Sequence, residues 1–150
     1  MAGDRNAFAV VATPAVETNA AVSPNGRWIA YQSAENAQTQ VFVQPFPPTG
    51  GKFQISTGGG YQPQWSVDGK ELYFVSAGAR MMAAAVEATD SFQSGTPAAL
   101  FAANTELALG GQGRQFAVTK DGRFLINIVQ QTSTTVPLTV TLNWPSGIQK

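Results

Sequence analysis

The chain has 150 residues with nine basic and nine acidic side chains. That is long enough for one domain with its own core, and it leaves no net field of the kind that draws nucleic acid or an anionic membrane. Cysteine and histidine are both absent, which excludes disulfides, thiolate zinc sites and every Ser-His-Asp, Cys-His or H-E-x-x-H mechanism. Only 12% of the residues are charged, sparse for a surface that faces water on all sides, so part of it is expected to meet another chain.

The first apolar stretch, Phe8 to Ala12, is too short for a signal h-region or a membrane span. As written, the chain is expected to stay in the cytoplasm. Residues 7–12 read as an apolar strand with no sheet of its own. Further along, three segments align: Ala21-Val22-Ser23-Pro24-Asn25-Gly26-Arg27-Trp28-Ile29-Ala30-Tyr31, Gln64-Trp65-Ser66-Val67-Asp68-Gly69-Lys70-Glu71-Leu72-Tyr73-Phe74, and Ala117-Val118-Thr119-Lys120-Asp121-Gly122-Arg123-Phe124-Leu125-Ile126. In each, a short apolar strand meets Ser or Thr, then Asn-Gly or Asp-Gly, then a basic residue and a longer apolar strand. The Asn/Asp-Gly pair predicts a two-residue type I′ hairpin turn, with positive φ at both central positions.

The strands after the turns, Trp28–Tyr31, Leu72–Val75 and Phe124–Ile128, are almost wholly apolar and do not alternate. Such runs suit strands covered on both faces. Gly26 to Gly69 spans 43 positions and Gly69 to Gly122 spans 53, close to the roughly 40–50 residues that a four-stranded propeller blade needs. The longer interval is taken up by the loop 102–113. The predicted fold is therefore all-β: a β-propeller segment with strands 18–22, 27–33, 40–46 and 52–56 in a first blade (18–56), 62–66, 70–76, 80–87 and 97–101 in a second (62–101), and 114–119, 123–130 and 137–144 in a third (114–144).

Three blades do not readily close a ring, since rings typically have four to eight. The open ends would leave apolar faces bare. A second copy related by a two-fold axis would complete a six-bladed ring, with strand 7–12 of each copy pairing with strand 137–144 of the other.

The stretch Ser23-Pro24-Asn25-Gly26-Arg27-Trp28-Ile29-Ala30-Tyr31 resembles the repeat of TolB-type, WD40-like β-propellers. Three further segments, Val43-Gln44-Pro45-Phe46-Pro47, Lys52-Phe53-Gln54-Ile55-Ser56-Thr57-Gly58-Gly59-Gly60 and Leu138-Thr139-Val140-Thr141-Leu142-Asn143-Trp144, make the chain similar to the C-terminal propeller portion of bacterial receptor-like serine/threonine protein kinases. The sequence has no kinase Gly-rich loop, V-A-I-K, H-R-D or D-F-G, so kinase activity does not carry over. The resemblance implies a sensing or docking module, extracytoplasmic if the chain belongs to such a kinase.

In a propeller the first strand of each blade lines the channel, and its start lies at one mouth. That places Glu17, Thr18 and Asn19, then Tyr61 and Gln62, then Arg114 and Gln115 at a common mouth. Glu17, Asn19, Tyr61, Gln62, Arg114 and Gln115 are the candidate ligand-binding residues, for a small molecule or a peptide. Two Glu17 carboxylates facing each other across the ring would suit a divalent cation; an ion pair between Glu17 and Arg114 is the plainer expectation. A non-catalytic binding or scaffold module is the first functional reading. A second is an ester or phosphoester hydrolase in which Glu17, Tyr61 and Arg114, with or without a metal, replace the missing histidine. A third is a gene fragment with no role beyond folding. Trp28, Trp65 and Trp144 are assigned to packing between blades, Met81 and Met82 to the core, and Gly58-Gly59-Gly60 to a turn between blades.

Overall fold

The computed structural model describes residues 7–35, 38–103 and 113–127, and within them every regular element is a β-strand. The first sheet runs in the order β1 (Glu17–Val22), β2 (Trp28–Ser33), β3 (Gln40–Pro45) and β4 (Phe53–Gln54), all antiparallel. The second places β5 (Gly60–Trp65), β6 (Glu71–Ser76) and β7 (Arg80–Ala88) side by side, with β8 (Phe92–Ser94) and β9 (Ala98–Ala102) both paired to β7. A third unit is the hairpin of β10 (Phe116–Val118) and β11 (Phe124–Ile126). None of these sheets closes on itself.

The three units stack face to face. Trp28, Ala30, Val41 and Val43 of the first sheet pack against Trp65, Leu72, Phe74, Ala84 and Val86 of the second. The opposite face of the second sheet, Tyr73, Val75, Met81 and Ala83, packs against Phe116, Val118, Phe124 and Ile126 of the hairpin. This is why β6 reads Leu-Tyr-Phe-Val without alternation: odd and even positions both meet a neighbouring sheet. Each large apolar side chain so buried contributes about 1.5–3 kcal/mol. Trp28 and Phe92, with ring centroids 5.2 Å apart, and Trp65, edge-on to Phe92, sit at the centre of the first interface. Gly60 opens β5 where a Cβ would lie 2.5 Å from the Ser56 hydroxyl oxygen, so glycine there permits the close passage between sheets.

The hairpin turns differ from the expected type I′. Only the glycine takes positive φ, at 72° for Gly26, 71° for Gly69 and 78° for Gly122. The Gly26 N–H donates to the Ser23 carbonyl at 2.9 Å, and Gly69 and Gly122 repeat this bond to Ser66 and Thr119. Such a bond closes a four-residue turn that ends on a left-handed glycine; Pro24 at its second position suits it. The side chains explain the preference. The Ser23 hydroxyl donates to Asn25 Oδ1 and accepts the Trp28 N–H, while Asn25 Oδ1 also accepts the Arg27 N–H. Ser66 and Asp68 repeat the pattern. The Ser66 hydroxyl and the Lys70 N–H hold the Asp68 carboxyl below the usual carboxylate range, and the Thr119 hydroxyl does the same for Asp121. Their folded-state values lie below the unfolded ones, so this contribution is present above the ordinary carboxylate range and is lost as pH falls through it.

Several expected boundaries shift. Residues 7–16 form no strand in the single chain. They lie against the outward face of the first sheet, where Phe8 stacks on Phe46 and the Gln44 amide donates to the Val10 carbonyl at 2.9 Å. The outer position of the second sheet, expected as 97–101 alone, is shared: β8 covers the end of β7 and β9 covers its start, with Gly95 to Pro97 between them. The third segment is one residue out of step after its turn. Val118 pairs with Phe124, whereas Val22 pairs with Ile29 and Trp65 with Leu72, so Phe124 stands with Ile29 and not with Trp28. Strand 137–144 and Trp144 lie outside the described residues.

Asn25 is the one turn position where the first repeat has an amide and the others an acid. Its Nδ2 donates to the Ala88 carbonyl of the second sheet at 2.6 Å. Asn25→Asp puts two acceptors face to face and is expected to lower stability by about 1–3 kcal/mol at neutral pH. The gap to the unmodified protein should narrow below about pH 4, where the new carboxyl is protonated and donates again. Denaturant midpoints measured across pH check both parts.

Candidate functional site

The starts of β1, β5 and β10 carry the candidate residues, and the backbone there is irregular in a repeated way. Asn19 and Gln62 both lie in the left-handed region, at φ 54° and 55°, within bulges that shift the register of β1 on β2 and of β5 on β6. Each lies seven residues before its turn glycine, as does Gln115. Left-handed backbone is uncommon for residues other than glycine and persists where surroundings over-determine it. A bulge also re-aims the residue that it inserts.

What over-determines it is a row of side-chain amides across the three sheets. Gln32 Oε1 accepts the Asn19 Nδ2–H at 3.1 Å and the backbone N–H of Gln62 at 2.8 Å. Gln62 Oε1 in turn accepts the backbone N–H of Gln115 at 2.7 Å, while its Nε2 donates to the Gly113 carbonyl. Gln115 Oε1 accepts from Asn127 Nδ2 at 3.0 Å. Asparagine at 19 is a methylene shorter than glutamine at 62, and Gln32 makes up the reach. A second stitch runs beside the first: Gln64 Nε2 donates to the Phe116 carbonyl, and the Trp65 indole N–H to the Ala21 carbonyl at 2.9 Å.

The six predicted residues therefore divide. Asn19, Gln62 and Gln115 come together, joined through the amide row rather than presented side by side to a ligand. Gln62 is 2% exposed with both ends of its amide engaged. Tyr61 is half-buried against the second apolar cluster. Glu17 accepts the Thr13 hydroxyl and, at 3.4 Å, the Ser33 hydroxyl. Arg114 is exposed. Within the single chain Glu17 and Arg114 form no ion pair: the ion pairs among the described residues are Arg27–Asp90, Lys52–Glu35 and Arg123–Asp121. Glu17 and Glu35 instead flank Tyr31, whose phenol is pushed up to about 12 by burial, with the two carboxylates adding to the effect. Among the described residues no three acidic side chains converge as a metal site would require.

A feature missed in the sequence lies at the other end of β1 and β5. An open groove of about 960 Å³ runs between the turns at Pro24-Asn25 and Asp68-Lys70 and the β7–β8 hairpin, with Glu87 and Gln93 on its far side. Its wall is fixed by the Asn25 bond to Ala88 and by the Trp28 indole N–H, which donates to the Thr89 carbonyl at 3.0 Å. The turn residues that line it are visible in the sequence; the return of β8 over them is not.

No protein-family model matches the chain, and no curated protein matches it.

Gln62→Leu keeps the volume and removes the amide. It leaves the partly buried Gln115 N–H without this partner, while the Gly113 carbonyl, on an exposed residue, is left to water. The expected loss of stability is about 1–3 kcal/mol, read from thermal or denaturant unfolding.

Proposed function

We propose that the chain is a non-catalytic binding or scaffold module of β-propeller type, three blades of a ring that a second copy completes. The supporting observation is the amide row: Asn19, Gln62 and Gln115 hold the same place in three successive units, Gln32 links the first unit to the second and Gln62 the second to the third. A ring built from such units carries this polar stitch around its inner strands. The TolB-like repeat and the low charge agree with the reading.

The ligand site of the module is the mouth formed by the inner-strand starts. With Asn19, Gln62 and Gln115 committed to the amide row, Glu17, Tyr61 and Arg114 remain to meet a small polar molecule or a peptide. The binding reading is preferred to hydrolysis because Glu17 is engaged by two hydroxyls and Tyr61 packs on an apolar cluster, so neither is posed as a nucleophile or base. Sedimentation equilibrium at micromolar concentration is expected to give twice the chain mass of 15.8 kDa. A well-folded species at the single-chain mass overturns ring closure by a second copy.

A further inference from the structure

The third hairpin is built to receive another sheet in the way the first sheet receives the second. In the first sheet, the Asn19–Gln32 amide pair presents an oxygen that caps the Gln62 backbone N–H. In the hairpin the corresponding pair has its roles exchanged: Asn127, which with the register corrected stands where Gln32 stands, donates to Gln115 Oε1 at 3.0 Å, so the oxygen presented is that of Gln115, as it is that of Gln62 in the second unit. Ala21 and Ala30 face the second sheet. Their counterparts in the hairpin are Ala117 and Leu125, a directly paired couple like Ala21 and Ala30. Leu125 is 72% exposed.

The first sheet offers the matching half. Gln62 and Gln115, each seven residues before the turn glycine, have their backbone N–H capped by a glutamine of the preceding unit. Asn19 is the third member of that set. Val22, 47% exposed, occupies the place of Trp65, whose indole donates to the Ala21 carbonyl of the preceding unit. We propose that the first sheet of a second copy stacks on the free face of the third hairpin, with the Gln115–Asn127 amide pair capping the backbone N–H of Asn19 in that second copy. Segment 7–13 moves aside in the joint. Among the described residues it meets the first sheet through the Phe8–Phe46 stack, the Gln44–Val10 bond and the Thr13 hydroxyl on Glu17, and a space of about 290 Å³ remains between it and Tyr31 and Lys52. This inference rests on the ring reading and specifies its joint.

Two measurements test it. In sedimentation equilibrium, Gln115→Ala is expected to raise the dimer dissociation constant about thirtyfold, the worth of one lost hydrogen bond at each of the two joints, while Gln93→Ala in the distant groove leaves it unchanged. Because the chain has no cysteine, copies carrying Val22→Cys can be mixed with copies carrying Ala117→Cys and oxidised. Mixed covalent dimers are expected, with Val22→Cys alone remaining uncross-linked. A single-chain mass for the unmodified protein overturns both the ring reading and this joint. A dimer that Gln115→Ala leaves unchanged, and in which the Val22→Cys and Ala117→Cys copies do not join, overturns the joint and leaves the ring reading standing.

Discussion

The side chain of Gln62 connects two sheets and is itself held by a third. Its oxygen takes the Gln115 N–H, its nitrogen reaches the Gly113 carbonyl, and Gln32 holds its own backbone N–H. This follows from the burial of both faces of the second sheet. A bulge in β5 leaves backbone groups that the ladder does not use, and the flanking sheets exclude much of the water that would otherwise satisfy them. A side-chain amide, with one acceptor and two donors, answers both needs at once. The spacing between units is thereby fixed by polar reach as well as by the aromatic packing of Trp28, Trp65 and Phe92.

Most of the strand order is legible because it rests on local chemistry. The Asn/Asp-Gly turns locate β1–β2, β5–β6 and β10–β11, and the unbroken apolar runs mark strands covered on two sides. The turn type is not legible in the same way, because Asn-Gly signals type I′ only when nothing else competes. Here the preceding Ser or Thr hydroxyl engages the Asn or Asp and the next strand's N–H, which favours the longer turn. Segment 7–16 has the apolar content of a strand, yet it lies across the outward face of the first sheet through Phe8 and Val10 and joins neither edge, which periodicity alone does not foretell.

The candidate site is legible as positions and not as roles. Counting back from the turn glycine finds Asn19, Gln62 and Gln115. Whether an amide points to a ligand or to the next sheet depends on distances between sheets, which no local pattern encodes. The one-residue shortening at the third turn illustrates this. Sequence alignment puts Phe124 with Trp28, yet the ladder sets it beside Ile29, and only that shift brings Asn127 level with Gln32. The groove beside Asn25 and Asp68 leaves no mark in the sequence because β8 is three residues long and carries no periodic signal of its own.

Tandem units this alike face a hazard during folding: a chain that starts its stack one unit late would bury much the same apolar surface. The turn residue breaks that degeneracy. Asn25 donates to the main chain of the neighbouring sheet, and Asp68, otherwise its counterpart, lacks the hydrogen to do so. A stack that slipped by one unit would set a carboxylate against a carbonyl in a partly dried crevice. A single nitrogen thus acts as an address label, marking which of three like hairpins belongs at the head of the line.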